Sequence, residues 1–141
     1  EWSGCMGSTI RRGMHSLAES APQAERVLLM TVVQPRVTAT DLQALIDAAG
    51  TDATLAAAAA YRARLGIPAC FGRDWWPDLA AVPDDRGARS LLRSGRRPVA
   101  AVLMEHAAED VDTTDDAARI GTALTREAPD HPRGPSPDRR R

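Results

Sequence analysis

Apolar side chains rich in β-branched residues fill the core of Arg26–Pro35, R-V-L-L-M-T-V-V-Q-P, and a proline closes it. A run that is hydrocarbon on both faces is what a doubly covered strand needs, so it reads as the central strand of a parallel sheet. Pro35 pushes Gln34 out of the helical region, so the chain leaves the strand extended at its carboxyl end. Open α/β sheets bind ligands at that end. Upstream, Ile10, Met14, Leu17 and Ala21 recur at helical spacing through Thr9–Ala21, with Arg11, Arg12, His15 and Glu19 elsewhere on the wheel. Ser8 or Thr9 serves as cap, and Pro22 ends the helix. Downstream, Thr38-Ala-Thr-Asp41 forms a capping box ahead of a helix burying Leu42, Leu45, Ile46 and Ala49, which Gly50 stops. Helix, strand and helix in close order predict an α/β fold.

The pattern is less decisive from Thr54 to Tyr61, T-L-A-A-A-A-A-Y. Alanine propensity favours helix, and a buried strand is the competing assignment. Gly66–Phe71 reads as a turn into a short strand released by Gly72. Arg73–Ala80 reads as a short helix or irregular segment carrying Trp75, Trp76 and Leu79. Pro83–Gly87 is a polar loop before a brief helix at Ala88–Ser94, and Val99–Met104 is a second short strand. Thr113 and Asp116 repeat the capping-box spacing before a last helix. Beyond Arg126 prolines and arginines replace any periodicity, so residues 1–125 are expected to form the domain and 126–141 a disordered tail.

Composition narrows the classes. The 141 residues suffice for one domain. Eighteen basic against nineteen acidic residues, formally -1, offer no electrostatic case for nucleic acid. The apolar runs are too short for a bilayer and no export signal opens the chain, so a cytoplasmic location is expected. Cys5 and Cys70 lack metal-ligand spacing and read as free thiols rather than a disulfide. Abundant alanine and few aromatics imply a core of small aliphatics with little stability to spare.

Several clusters offer chemistry. Asp110, Asp112, Asp115 and Asp116 lie between a strand and a helix start. They suit either a magnesium site, through oxygen ligands plus substrate phosphates, or simple helix N-terminal stabilisation. In Asp84-Asp85-Arg86-Gly87-Ala88-Arg89 the arginines either hold a phosphate or pair with the neighbouring aspartates. Gly4–Thr9 is a weak candidate for an anion nest without a P-loop lysine. His15, His106 and His131 make no metal spacing or triad, and Trp75 and Trp76 read first as packing anchors.

Five segments line up, in order, with the later part of another family's pattern: G-C-M-G-S-T-I-R-R-G-M, V-L-L-M-T-V-V-Q-P-R-V-T, Y-R-A-R-L-G-I-P-A-C-F-G-R, D-D-R-G-A-R-S-L-L and D-V-D-T-T-D-D-A. From about Cys5 to Ile120 the chain resembles the molybdenum-cofactor cytidylyltransferases and guanylyltransferases. The resemblance implies a three-layer α/β/α fold of the glycosyltransferase-A-like, Rossmann-like kind, lacking the first, nucleotide-binding strands. It also implies transfer of CMP or GMP from a nucleoside triphosphate to a molybdopterin-type small molecule with help from Mg2+. Residue by residue, it places Asp112 as a metal ligand and Gly7, Ser8 and Thr9 at the mouth of the substrate site. Asp85, Arg86, Gly87 and Arg89 fall in the loop beside the acceptor, and Gly66 and Pro68 at the ends of a G-H-P motif.

Three departures qualify the implied activity. Val33 stands where a D-Q-P aspartate would hold the metal, and Ile67 replaces the histidine of G-H-P. The glycine-rich nucleotide loop with its following lysine has no counterpart. The expectation is a transferase homologue that is weak or inactive as this chain, with a non-catalytic interaction or dimerisation module as the alternative. The missing strands would leave a sheet edge for a second copy or a protein partner to cover.

Overall fold

A computed structural model describes residues 6–111 and 113–119. It falls into two compact units, Glu1–Asp110 and Val111–Arg141. The expected domain boundary after residue 125, the tail at 126–141, Cys5 and Asp112 lie outside the described residues.

In the first unit the elements run α1 (Met6–Ser20), β1 (Arg26–Leu29), α2 (Ala39–Ala49), β2 (Ala56–Tyr61), β3 (Arg64–Gly72), α3 (Trp76–Ala80), α4 (Arg89–Leu92) and β4 (Val99–Leu103). Single 3-10 turns occupy Arg73–Trp75 and Glu105–Ala108. The sheet order is β1-β3-β2-β4, with β3 antiparallel to both β1 and β2, and β2 parallel to β4.

The alanine run is a strand, against its helical propensity. Ala56–Ala60 pair with β3 on one side and β4 on the other, so the tertiary ladder decides the conformation. Ala56 and Ala58 face one core with Phe71, Trp75, Leu79, Leu92 and Met14. Ala57 and Ala59 face the other, with Leu45, Ala49, Cys70 and Met104. Covered on both faces, the sheet forms the middle of three layers, as expected. Methyl groups on its central strand let both helical layers approach closely. The bulk comes from the flanking aromatics. Phe71 meets Trp75 edge to face at 5.5 Å, and the Trp75 indole donates to the Thr54 carbonyl at 2.8 Å.

The stretch read as the central strand is instead an edge. Only Arg26–Leu29 pair, with β3 alone and antiparallel, and all four are half-buried. Val27 and Leu29, which share one face of the strand, both pack against the core and line the groove described below. The parallel neighbours that the pattern suggested are not among the described residues. Gly66–Phe71 proves to be the centre of a nine-residue strand.

Arg62 and Ala63 make the two-residue turn between β2 and β3, both at positive φ, 49° and 56°. That handedness matches the twist of a tight hairpin. Within β3 the register slips: Ala58 faces Ala69 while Ala59 faces Gly66. Ile67 and Pro68, joined by a cis peptide, therefore bulge out of the ladder. A proline cannot donate to a ladder, so a bulge is where it belongs. The bulge leaves the Ile67 carbonyl for side chains to satisfy.

The capping box at α2 forms as expected: the Thr38 hydroxyl accepts from Asp41 N–H, and Asp41 accepts from Thr38 N–H at 2.8 Å. In the second unit the same reciprocal pair joins Thr113 and Asp116, opening a helix at residues 114–119.

Candidate functional site

One face of α1 and the Val27–Leu29 face of β1 border an open groove of about 810 Å³. Ile10, Met14 and Leu17 from the helix, Val27 and Leu29 from the strand, and Ile67 from the bulge make it largely hydrocarbon. The polar side chains of its lining are Thr9, Thr31, Arg89 and Asp110, and Val33 also lines it. Helical spacing puts Thr9, Gly13 and Leu17 on one stripe of α1, so the period that builds the helix also builds the wall.

The rim is held by one connected set of hydrogen bonds. Gln34 is 4 % exposed, and its amide nitrogen donates to the Ile67 carbonyl at 2.8 Å and the Ala107 carbonyl at 2.7 Å. Its amide oxygen accepts from the Thr31 hydroxyl at 3.0 Å. The Ile67 carbonyl also accepts from the Tyr61 hydroxyl at 3.0 Å, and that hydroxyl accepts from the Arg89 guanidinium at 3.1 Å. Arg93, at the other end of α4, donates to the Leu65 carbonyl. A buried amide with donors and acceptor all engaged fixes its neighbours in one arrangement. The Gln34-Pro35 exit, the Gly66-Ile67-Pro68 bulge and the Arg89 helix are thereby locked to each other.

The opposite wall depends on Gly7. It is buried, and its N–H faces the Asp84 carbonyl at 3.4 Å. A Cβ there would sit 2.0 Å from the Pro83 carbonyl oxygen. Arg11, one turn on, donates to the Val82 carbonyl and pairs with Asp84. The start of α1 thus clamps the 82–84 segment, while Met6 lies against Gly87.

The sequence-derived residues sort into three groups. Thr9, Gly87 and Arg89 line the groove. Gly7, Gly66 and Pro68 build it from behind: Gly7 seats α1, Gly66 leaves room for the Tyr61 hydroxyl, and Pro68 is fully buried in the bulge. Ser8, Asp85 and Arg86 stand outside the lining, the last two exposed on the loop. Tyr61 carried no role in the sequence reading. Its signal, an aromatic covering a cross-strand glycine, becomes legible only once the alanine run is taken as a strand. Of the remaining candidates, Cys70 is a free buried thiol whose desolvation raises its pKa. Trp75 and Trp76 are buried packing anchors, with Arg73 stacked 3.9 Å from the Trp76 ring centre.

Asp110 is the one carboxylate among the lining residues, Val33 offers hydrocarbon where a ligand was expected, and no group of three or more metal-ligating side chains occurs among the described residues.

Behind the groove, the Glu105–Ala108 turn is fastened to α2. His106 and Asp41 meet at 2.8 Å, Arg36 pairs with Glu109 at 3.5 Å, and Glu105 accepts from Arg62 N–H. Burial pushes the Asp41 carboxyl up, but Thr38 and His106 together outweigh it and leave the pKa lowered. A depressed folded pKa gives stability that is present above the unfolded value and lost as pH falls through the folded one. Acidification below about pH 4 should therefore loosen this fastening. Melting temperatures between pH 5 and pH 2 should fall more steeply for the parent than for Asp41→Asn. The variant should be less stable by about 1 kcal/mol at neutral pH. Parallel pH profiles for the two proteins would show that this carboxylate does not contribute.

The profile of the MobA-like NTP transferase domain matches residues 1–102. No curated protein sequence matches the chain. Among solved structures, a homologue of Mycobacterium tuberculosis Rv0371c from Mycobacterium sp. strain JC1 superposes with a TM-score of 0.68 at 33 % identity, over 87 % of this chain and 60 % of that one. Rv0371c of M. tuberculosis itself, in a complex with manganese, gives 0.64 at 34 % identity, over 83 % and 60 %. A 4-diphosphocytidyl-2C-methyl-D-erythritol synthase, 20 % identical over 84 % of this chain and 66 % of its own, shares the fold with a TM-score of 0.60. The chain spans about three fifths of the mycobacterial structures it matches.

Proposed function

The chain belongs to the MobA-like NTP transferase domain family, and from that premise we propose that it supplies the acceptor side of a nucleotidyltransferase site. The groove would take the acceptor, a molybdopterin-type molecule, with its flat ring against Leu29, Ile67 and Ile10 and its phosphate at Arg89. One observation carries this reading. A largely apolar groove is bordered by an exposed guanidinium that one hydrogen bond holds, a layout that suits an aromatic ring bearing a phosphate.

These 141 residues taken alone are proposed to have weak or no CMP or GMP transfer. Positioning and charge neutralisation dominate phosphoryl-type chemistry, and Val33 cannot contribute to gripping a metal-bound triphosphate. The manganese in a neighbouring structure is consistent with divalent metal use in the family, and Mg2+ remains the expected ion for complete members. A cytoplasmic setting fits a small-molecule substrate of this kind. Among the described residues no helix is long and apolar enough to cross a membrane.

Fluorescence titration with hydroxymethylpterin phosphate tests the acceptor assignment. Saturable binding that weakens about tenfold or more in Arg89→Ala is expected. Binding unaffected by that substitution would contradict it.

A second reading is favoured by a separate feature. The outer edge of β1 has no partner strand among the described residues, and Met30 and Val32, just past its end, are 50 % and 100 % exposed. An open apolar edge is a template for association. Self-association visible by sedimentation, abolished by Val32→Lys, together with no pterin binding, would favour an interaction module over the acceptor site.

A further inference from the structure

We propose that Tyr61 is the positioning residue for Arg89, holding its guanidinium at the mouth of the groove for the acceptor phosphate. The inference rests on the acceptor reading above and adds a residue to it. A long arginine side chain has many rotamers, and an exposed one gives up part of that freedom each time it binds an anion. Arg89 is exposed, yet one of its nitrogens already donates to the Tyr61 hydroxyl at 3.1 Å. That hydroxyl spends its own proton on the Ile67 carbonyl at 3.0 Å. Its oxygen is therefore presented as an acceptor, and the guanidinium is what it accepts from.

The hydroxyl is itself fixed from two sides. Ile67 lies in the bulge, where its carbonyl is also held by the buried Gln34 amide at 2.8 Å. Gly66 makes the position possible, because a Cβ there would lie 2.3 Å from the Tyr61 oxygen. The ring is half-buried and packs against the buried cluster that includes Ala57, Ala59 and Met104. Five donors on a guanidinium leave enough for a bidentate grip on phosphate after one is given to Tyr61. The chain of contacts runs from a buried amide to a backbone carbonyl, then a phenol, then the exposed cation.

Tyr61→Phe keeps the ring and removes only the hydroxyl, and three measurements read its effect. Guanidinium NMR of Arg89, without ligand, should show restricted, dispersed signals in the parent and averaged ones in Tyr61→Phe. Signals already averaged in the parent would overturn the proposal whatever the protein binds. With hydroxymethylpterin phosphate, Tyr61→Phe should weaken binding by about three- to tenfold. Combined with Arg89→Ala it should add nothing to the loss from Arg89→Ala alone. If Arg89→Ala weakens binding while Tyr61→Phe does not, the positioning role is wrong and the acceptor site stands. If the parent does not bind the pterin, the acceptor reading fails and the NMR comparison still decides whether Tyr61 holds Arg89.

Discussion

Gln34→Ala is expected to cost about 3 kcal/mol of folding stability, a large share of what a domain of this size holds. The substitution deletes a buried amide that donates to two main-chain carbonyls and accepts from Thr31. Removing one side of a buried hydrogen bond leaves the other desolvated and unpaired, at roughly 1–3 kcal/mol per group. The Ile67 carbonyl keeps Tyr61, so the Ala107 carbonyl bears the larger penalty, and the emptied volume adds to it. Chemical denaturation should show a lower midpoint with an unchanged slope. Gln34→Glu should be at least as damaging, because a carboxylate would face two carbonyl oxygens. A midpoint within experimental error of the parent would mean that this amide does not hold the rim together.

Gly7→Ala should be the second severe change, and its sign separates packing from propensity. In a helix interior alanine is better than glycine by about 1 kcal/mol. At position 7 the new methyl would meet the Pro83 carbonyl oxygen at 2.0 Å and its carbon at 2.6 Å, backbone atoms with no rotamer to escape into. Either α1 or the 82–84 segment must move, at a cost of about 3 kcal/mol. Gly13 lies two turns along the same helix with nothing within 4 Å of its missing Cβ. Gly13→Ala should therefore stabilise by up to about 1 kcal/mol. Thermal unfolding of the pair is decisive, because equal shifts of the same sign would show that α1 does not dock on the loop through Gly7.

The sequence spoke clearly where local chemistry settles local structure. Both capping boxes formed, because Thr and Asp three apart satisfy their own backbone donors whatever lies around them. The helical stripe of α1 and the α/β character followed from periodicity. Reading failed where neighbours decide. Arg26–Pro35 has the composition of an interior strand, yet within the described residues only Arg26–Leu29 pair, and they form an edge. Ala56–Ala60 is helical by propensity, and only pairing on both sides makes it a strand. For the site, the motif segments singled out Thr9, Gly87 and Arg89, which line the groove, and Gly7, Gly66 and Pro68, which lie behind it. They gave no hint of Tyr61, whose role depends on a register slip that no local pattern encodes. Asp85 and Arg86 share a motif with Arg89, but loop geometry turns them outward.

Val33 marks the sharpest departure from a complete transferase. Restoring a carboxylate there with Val33→Asp should not by itself produce nucleotidyl transfer, since one added ligand does not supply the grip on a triphosphate. Detectable CMP or GMP transfer by that variant would refute the assignment of this chain to the acceptor side alone. The most direct measurement is calorimetric titration of the unmodified chain with CTP and GTP, each with Mg2+ and with Mn2+. No saturable, metal-dependent heat is predicted, while a tight metal–nucleotide complex would contradict the account.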